Sequence, residues 1–462
     1  MASLASLDGF QDFIGQLPML KTYLHFTLGF RNTRPELEAD IIINVTKAAL
    51  LLAETFPWSH AKVINTGRRE GNSGVFRLSP CPQFEGTILR KVKDCKELFP
   101  TYDEILASKA CLKVLDGDLL APRTAFPLSY EESEDDPAPV LALQLNLVRG
   151  GILVHWACQH NIMDAAGLGQ VVKLFSYAMR QESFPKSAAE WGNYQPRREL
   201  IPLLGPGEQQ LEHGHLRRAA VPHPITSPAP FMAFQWCDFR FSSESLKALK
   251  KLASNRAEFA DPSSTSVSFV STNDALTAFC WQYISQARIK LGRDPDSLCK
   301  LARAMDVRAI MGVSPEYMGH MIYIATSHIP LKVLANKPLA YVSSVLRQDL
   351  LDASTSYEVR SFATMISNTE DKSTIAFAGD FKPDYDLGTS SGLGLQYRFD
   401  YGVLGNPDFM QRPRFTPIPS TLYIMPTSSD GGVDVQLSLK QDELSALRED
   451  ETWSRYAKIH LQ

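Results

Sequence analysis

Apolar residues follow two different periods along this chain, and stretches of one period alternate with stretches of the other. Residues 23–30 form a β-prone apolar run that predicts a strand, whereas residues 41–56 repeat apolar side chains at helical spacing until Pro57. Two further apolar runs, 140–148 and 152–159, flank a short connection that contains two glycines. This pattern predicts two strands joined as a hairpin.

The same alternation continues through the rest of the chain. The remaining predicted elements are strands at 236–241, 422–425 and 433–439, and helices at 106–115, 168–179, 245–253, 273–291, 337–353 and 440–456. Asn273 is expected to cap its helix, with Asp274 favourable in the first turn. Because helices and strands alternate in both halves, the sequence predicts an α/β fold with mixed sheets.

A change in composition divides the chain. Residues 196–230 are rich in proline and have little periodicity, which predicts a long crossover between two domains. The expected boundaries are an N-terminal domain at 1–195, a linker at 196–230 and a C-terminal domain at 231–462. The acidic run at 131–139 is expected to be a solvated loop.

Composition and charge narrow the class of protein. Of the 462 residues, 44% are hydrophobic and 21% charged, as is typical of a globular protein, and the net charge of −4 gives no support for nucleic-acid binding. No apolar run has membrane-spanning length, and the N-terminus does not resemble a signal peptide. The 7 cysteines are scattered without any Cys-x-x-Cys pair. We therefore expect a reduced cytoplasmic protein without a metal site. A monomer is also expected.

Candidate chemistry is concentrated between residues 150 and 167. Gly150 and Gly151 open the apolar run that delivers His160, and Asp164 follows before small residues and a helical pattern. An imidazole at the end of a buried strand suits proton transfer, because its unperturbed pKa lies near neutrality. Since this spacing of histidine and aspartate also recurs by chance, a core histidine bonded to a backbone carbonyl is the alternative.

Five segments, in order, resemble the CoA-dependent acyltransferases of the BAHD and chloramphenicol-acetyltransferase superfamily. His160-x-x-x-Asp164 resembles the His-x-x-x-Asp-Gly motif. The others, at 271–281, 305–308, 317–320 and 400–407, resemble the strand-to-helix segment after the crossover and the Asp-x-Arg, Tyr-Phe-Gly-Asn and Asp-Phe-Gly-Trp-Gly motifs. The resemblance covers nearly the whole chain and is closer to fungal members, such as the trichothecene acetyltransferases, than to plant ones.

Several positions depart from the family pattern. Ala165 stands where the family has glycine, His320 replaces asparagine, and Ser391 replaces a tryptophan. The 400–407 segment carries one extra residue and lacks its tryptophan. A helical or extended φ at Ala165 would tolerate alanine, whereas a positive φ would not. Ser391 implies an acceptor pocket of different shape.

The resemblance implies an architecture and a reaction. Two chloramphenicol-acetyltransferase-like domains, each a mixed β-sheet with helices, would enclose a channel between them. An acyl group, expected to be acetyl, would move from acyl-CoA to a hydroxyl, or less readily an amine, of a small natural product. No metal, nucleic acid or membrane is implied. Basic doublets such as Arg197-Arg198 could meet the phosphates of CoA, although most such doublets are solvated surface.

The resemblance also implies roles for the reacting residues. His160 would be the general base of a direct transfer, in the middle of the channel, and Thr389 would offer a hydroxyl to the reacting carbonyl. Asp164 would form an ion pair with Arg308 that fixes the active-site loop. An orienting role for Asp164 beside His160, as in a catalytic triad, is the alternative.

Further residues are implied to support the site. Asp400 and Gly402 would be structural, as would Arg308, while Ser271 and Thr272 would contact CoA. The counterpart of His320 lies near the donor channel in relatives, and a surface or core histidine is the alternative.

Three alternatives remain for the chemistry. The same scaffold could catalyse a CoA-independent cyclisation or isomerisation with His160 as acid and base, since Ala165 and Ser391 leave room for a changed reaction. The chain could also be a non-catalytic binding protein. If the protein is an acyltransferase, Cys158 could act as a nucleophile. His155 is expected on the opposite strand face, away from the site.

Overall fold

The six predicted strands lie where the apolar runs place them, but the described residues form eight further strands that the sequence analysis missed, two of them 9 residues long. The computed structural model describes residues 7–125, 137–220, 233–263 and 265–459. Residues 131–136 of the predicted acidic loop and 221–230 of the predicted linker lie outside these ranges. The strands are β1 Tyr23–Arg31, β2 Lys62–Thr66, β3 Val75–Ser79, β4 Leu89–Asp94, β5 Leu141–Val148, β6 Gly151–Gln159, β7 Phe234–Phe241, β8 Leu298–Asp306, β9 Ile322–Pro330, β10 Leu387–Ser391, β11 Phe409–Gln411, β12 Thr421–Ile424, β13 Val433–Lys440 and β14 Ala457–Ile459. The predicted strands are confirmed by β1, β5, β6, β7, β12 and β13.

The helices alternate with these strands. They are α1 Glu38–Thr55, α2 Tyr102–Ala107, α3 Gly117–Leu120, α4 Ala165–Met179, α5 Lys186–Gly192, α6 Ser243–Ala253, α7 Thr272–Lys290, α8 Leu331–Asn336, α9 Leu339–Ala353, α10 Ser356–Asn368, α11 Gln441–Glu449 and α12 Glu451–Tyr456. The helices predicted at 41–56, 168–179, 245–253 and 337–353 are confirmed by α1, α4, α6 and α9.

Two predicted helices have wrong bounds. The helix predicted at 106–115 is α2, which ends at Ala107 because Lys109 and Ala110 have φ values of 59° and 50°. A right-handed helix cannot continue through this left-handed backbone. The helix predicted at 440–456 divides at Asp450, whose carboxylate accepts hydrogen bonds from two backbone N–H groups and begins α12.

The cap of the long helix α7 is Ser271, and the prediction of Asn273 is wrong. The Ser271 hydroxyl accepts a hydrogen bond from the Asp274 N–H at 3.1 Å, and the Asp274 carboxylate accepts one from the Ser271 N–H at 2.6 Å. This reciprocal pair satisfies two N–H groups at the start of the helix, so Asn273 falls inside the first turn.

Two large mixed sheets organise the described residues. The five-stranded sheet has the order β11-β1-β6-β5-β4, and the seven-stranded sheet has the order β14-β7-β13-β12-β10-β8-β9. β4 runs parallel to β5, and β10 runs parallel to both of its neighbours. The other pairs in these sheets are antiparallel, including the predicted hairpin of β5 and β6. The predicted α/β class with mixed sheets is confirmed.

The two halves of the chain exchange elements. β11, which follows from the second half, pairs with β1 at the edge of the five-stranded sheet, with Met410 opposite Leu28. In the other direction, Ile14 and Leu17 pack into the hydrophobic core formed with β9 and α10. Neither half therefore completes its packing alone, and the residue boundaries of the two domains stay a prediction.

The segment at 400–407 packs against the first half, at the C-terminal end of α4. Tyr401 is fully buried beside Phe30 and Phe175. Asp400 Oδ1 accepts a hydrogen bond from the Gly402 N–H at 2.9 Å. Since α4 has 15 residues, this segment lies about 22 Å from the helix N-terminus that follows His160.

Gly402 is expected to be required for this packing. Its φ is +60°, and a Cβ atom there would lie 2.9 Å from the Met179 carbonyl oxygen. Gly402→Ala should therefore lower the free energy of unfolding by about 1–3 kcal/mol, because a non-glycine residue in this region is strained. Thermal unfolding measures the change. Gly394→Ala is the matched control, since a Cβ at Gly394 would meet no atom within 4 Å. Equal melting temperatures for both variants would contradict this account.

Candidate active site

His160 lies in the tight turn between β6 and α4. Its backbone N–H donates a hydrogen bond to the Thr22 carbonyl at 2.9 Å, which fixes the end of β6 to the start of β1. The Ile162 and Met163 N–H groups donate to the carbonyl of Gln159 and close the turn. The strand and the helix therefore determine the position of the His160 ring from both sides.

The His160 imidazole is partly buried and neutral near pH 7. Its Nδ1 is buried and makes no hydrogen bond of regular geometry, although backbone carbonyl groups at His160 and Met163 lie close enough to raise the pKa of the ring. Burial lowers the pKa of His160 below 6.5, and the nearby carboxylate of Asp164 offsets only part of this effect. A neutral ring has a free lone pair, so the group can accept a proton.

Asp164 is held by a set of hydrogen bonds that does not include His160. Its carboxylate accepts bonds from Arg308 Nη1 and Nη2 at 3.0 and 2.9 Å, and from the N–H groups of Gly167 and Met321, each at 2.8 Å. Burial alone would raise the pKa of Asp164, but the Arg308 guanidinium outweighs it and lowers the pKa. The ion pair that the resemblance implies is present, and the geometry of a catalytic triad is not.

Arg308 uses all five of its N–H groups. Besides the two bonds to Asp164, Nε donates to the Tyr317 carbonyl at 3.1 Å, Nη1 to Asp306 at 3.0 Å, and Nη2 to the Gly319 carbonyl at 2.8 Å. Burial opposes the charge of Arg308, but the carboxylate of Asp164 raises its pKa. The guanidinium thereby ties the start of α4 to the segment 317–321.

The structure brings His320 to the site, beside His160. The centroids of the two rings lie 5.0 Å apart, with their planes inclined by 35°. His320 is completely buried, and burial and the neighbouring His160 lower its pKa to about 3. Neither ring nitrogen of His320 has a hydrogen-bond partner among the described residues.

Glycine is needed at position 167 and not at position 165. Ala165 is the first residue of α4 and is not among the residues with positive φ, so the backbone tolerates alanine there. At Gly167, by contrast, an added Cβ would lie 2.2 Å from the Met318 carbonyl oxygen. The absence of a side chain at Gly167 thus lets α4 approach the segment that carries His320.

Thr389 lies on β10, between β8 and β12. Its Oγ1 is buried and has no hydrogen-bond partner among the described residues, whereas Ser390 and Ser391 are partly exposed. A buried hydroxyl in this state has a proton to donate to a bound molecule. No hydrogen bond joins Thr389 to His160, and the role of Thr389 stays a prediction.

The predicted CoA contacts lie at the start of α7. The Ser271 hydroxyl both accepts from the Asp274 N–H and donates to the Asp274 carboxylate at 2.8 Å. Asp274 is itself buried between Arg303 and Arg347. Ser271 therefore has a structural role as a helix cap, and its contact with CoA stays a prediction, as does that of Thr272.

Arg197 is buried, so the alternative that this doublet is solvated surface is wrong for Arg197, and its contact with the phosphates of CoA stays a prediction. Its guanidinium donates to the Ile162 carbonyl at 2.9 Å and lies over the rings of Trp58 and Tyr317. Asp12, which the sequence analysis missed, lies within electrostatic reach, and burial raises its pKa to about 7. An isolated aspartate near the N-terminus offers no pattern from which this could be predicted.

Two other side chains of β6 have surroundings that differ from those of the His160 ring. Cys158 is fully buried in the hydrophobic core, and burial raises the pKa of its thiol well above the usual range. His155 lies on the opposite face, as predicted, where it is bonded to His25 at 2.8 Å and to Thr27 at 2.9 Å. Neither residue is presented as a nucleophile or base at His160.

A cleft between the two halves of the chain does not include the proposed active-site residue His160. A cleft of about 580 Å³ between the halves is lined by residues such as Leu112, Trp236 and Phe415, but not by His160. The predicted channel with His160 at its middle thus stays a prediction.

Within the described ranges, no group of three or more His, Cys, Asp or Glu side chains could hold a metal ion. The helices described are all too short or too polar to cross a membrane.

Comparisons with known proteins point to one family. A family model for the trichothecene 3-O-acetyltransferase-like N-terminal domain matches residues 22–179, and the model of the transferase family matches residues 118–453. The O-acyltransferase pigD of Monascus ruber is 44% identical over 455 residues, which cover 97% of this chain and 98% of that protein.

Two further comparisons concern one Fusarium sporotrichioides protein. Its trichothecene 3-O-acetyltransferase TRI101 is 32% identical over 461 residues, which cover 99% of this chain and 98% of that protein. The crystal structure of F. sporotrichioides TRI101 complexed with coenzyme A and T-2 is similar at a TM-score of 0.88 and 31% identity, and the match covers 98% of this chain and 99% of the other. The similarity therefore extends over both halves.

The buried ion pair predicts coupled losses of stability. Arg308→Ala should lower the free energy of unfolding by about 3–5 kcal/mol, because it leaves the buried carboxylate of Asp164 without its cation. Asp164→Ala should also lower it, but by less, because Arg308 keeps its bond to Asp306 at 3.0 Å. The double variant should lose less than the sum of the two. Chemical denaturation of the four proteins completes the cycle. Arg149→Ala is the control, since the exposed pair of Arg149 and Glu97 should contribute less than about 1 kcal/mol. Additive losses would show that the two residues act independently.

Proposed function

The chain belongs to the transferase family that includes the BAHD acyltransferases, and from this we propose that it acetylates a hydroxyl group of a small natural product with His160 as general base. It is a CoA-dependent O-acyltransferase, with acyl-CoA as co-substrate. The proposal adds acetyl as the acyl group, His160 as the base and a monomer in the cytoplasm. The seven cysteines, all of them free, support a reducing compartment.

One observation carries the proposed mechanism. His160 is a neutral imidazole held by the turn between β6 and α4, and the Asp164 carboxylate accepts its hydrogen bonds from Arg308 and not from this ring. In the proposed step His160 takes the proton of the acceptor hydroxyl, and the oxygen attacks the carbonyl carbon of the thioester. The tetrahedral oxyanion then collapses, the C–S bond breaks, and the thiolate receives the proton from His160.

Thr389 is proposed to stabilise the oxyanion. A donor aimed at the developing charge contributes more in a site from which water is excluded than it would in solution. The buried, unpartnered hydroxyl of Thr389 supports this role.

The acyl group is proposed to pass directly between the substrates. A covalent route would need a nucleophile beside His160, and the Cys158 thiol is buried in the core with a raised pKa. Both substrates must then be bound together, and holding two reactants in alignment lowers the barrier substantially. The helical backbone at Ala165 removes one of the reasons to consider a CoA-independent cyclisation.

Removing the proposed base tests the mechanism. His160→Ala should lower kcat by about 10²–10⁴-fold, as expected for loss of general base catalysis, and should leave the fold intact. The assay measures free thiol released from acetyl-CoA, using the fastest acceptor from a panel of hydroxylated aromatic and terpenoid compounds. His328→Ala is the control, since His328 is exposed on β9. A near-native rate for His160→Ala would remove this residue from the mechanism.

The rate should also depend on pH in a defined direction. A general base acts in its neutral form, and burial lowers the pKa of His160 below 6.5. The value of kcat/KM should thus stay constant from about pH 7 upward and fall only as the pH drops below the lowered pKa. Initial rates between about pH 5 and pH 9 test this expectation. A decline that begins above pH 6.5 would contradict the neutral His160.

A further inference from the structure

His320 lies in the active-site region, yet the reaction proposed above gives it no task. Its ring is 5.0 Å from that of His160, centroid to centroid, and it is completely buried. Both of its nitrogens lack a hydrogen-bond partner among the described residues. Buried polar groups are nearly always satisfied, so a side chain with two unsatisfied nitrogens needs an explanation.

The backbone on both sides of His320 is fixed by the buried ion pair. Arg308 Nη2 donates to the carbonyl of Gly319 at 2.8 Å, and the Met321 N–H donates to Asp164 Oδ2 at 2.8 Å. The Phe377 ring also lies near His320, with 6.3 Å between the ring centroids. The same ion pair begins α4 directly after the turn that carries His160. It therefore sets the separation of the two imidazoles.

The ring of His320 is a hydrogen-bond donor at every pH at which the protein would function. Burial lowers its pKa to about 3, so the imidazole is neutral and keeps one N–H and one lone pair. If His320 only filled space, an apolar side chain of similar size would do so without leaving an N–H donor unsatisfied. The unsatisfied N–H of His320 is better explained if a bound molecule accepts a hydrogen bond from it.

We propose that His320 donates its ring N–H to the carbonyl oxygen of the acyl thioester. This inference rests on the proposed function, with His160 as base. During the reaction the acceptor O–C bond forms and the C–S bond breaks. The hydroxyl proton passes to His160 and then to the thiolate, while His320 keeps its own proton throughout.

The carbonyl oxygen is the preferred partner for a chemical reason. Negative charge develops on this oxygen as the tetrahedral intermediate forms, so a donor there binds the transition state more strongly than the ground state. A donor on the attacking hydroxyl oxygen would instead withdraw electron density from the nucleophile. With Thr389, the proposed site would offer two donors to the oxyanion.

Two substitutions separate the donor from the bulk of the ring. His320→Leu removes the N–H, and kcat should fall by about 10²–10³-fold, as for loss of one oxyanion donor. His320→Asn keeps an N–H donor and should remain within about tenfold of the wild-type kcat. Both variants should bind coenzyme A itself, which has no acyl carbonyl, within about threefold of the wild type by calorimetry.

The outcomes distinguish this proposal from its alternatives. A kcat for His320→Leu within about threefold of wild type overturns it, as does an equal loss in both variants with normal folding and CoA binding. Weakened CoA binding in both variants would assign His320 a structural role and also overturn it. If His320→Leu does not fold, His320→Gln and His320→Met provide a second pair with and without a donor. His160→Ala, measured in parallel, tests the base independently, because its near-native rate would refute the base and leave the His320 comparison intact.

Discussion

The ion pair between Asp164 and Arg308 is the interaction on which the geometry of the site depends. Burying two charges is costly, and such a pair holds only when its remaining hydrogen-bonding capacity is also satisfied. Here all five Arg308 N–H groups are used, and Asp164 accepts two backbone N–H groups besides the guanidinium. The pair connects the N-terminus of α4 to the segment 317–321, which comes from the other half of the chain. The distance between the halves at this point is therefore fixed by bidentate hydrogen bonding, which permits little variation.

Near this ion pair lie several buried polar atoms that make no hydrogen bond of regular geometry among the described residues. They are His160 Nδ1, both nitrogens of His320, the Tyr317 hydroxyl, Asp12 Oδ2, and Nε and Nη2 of Arg197. Such atoms are few in folded proteins, and each needs an explanation such as a catalytic role or a bound water. The ion pair and the unsatisfied groups have different roles. The ion pair holds the backbone in place, and the unsatisfied groups remain available to a substrate or to water.

The sequence predicted helices and strands well where the apolar residues followed a single period. It failed where contacts between residues far apart in the chain determine the structure. The runs at β5 and β6 are long and regular, so their type and, to within one residue, their bounds followed from spacing, whereas α4 begins at Ala165, three residues before the predicted start. Ser271 and Asn273 are both good caps, and only the reciprocal bonds with Asp274 select the first. The pairing of β11 with β1 joins residues far apart in the chain, and no local pattern encodes it. The partnership of Asp164 and Arg308 came from the family resemblance, whereas the closeness of His320 to His160 required the structure.

A base with a lowered pKa has a consequence for the whole reaction. Because Asp164 is bonded to Arg308, it offers His160 no hydrogen bond, and its charge offsets only part of the destabilisation that burial imposes on the protonated imidazole. The imidazolium in the proposed mechanism is therefore a high-energy species that should pass its proton on quickly. A departing alkyl thiolate is a suitable recipient, since its conjugate thiol has a pKa near that of cysteine, about 8.5, well above that of His160. Transfer of the proton from His160 to the thiolate is then favourable, and it makes expulsion of CoA hard to reverse. The weak base and the direct transfer thus support each other, because the proton is needed by the leaving group in the same complex in which it was removed.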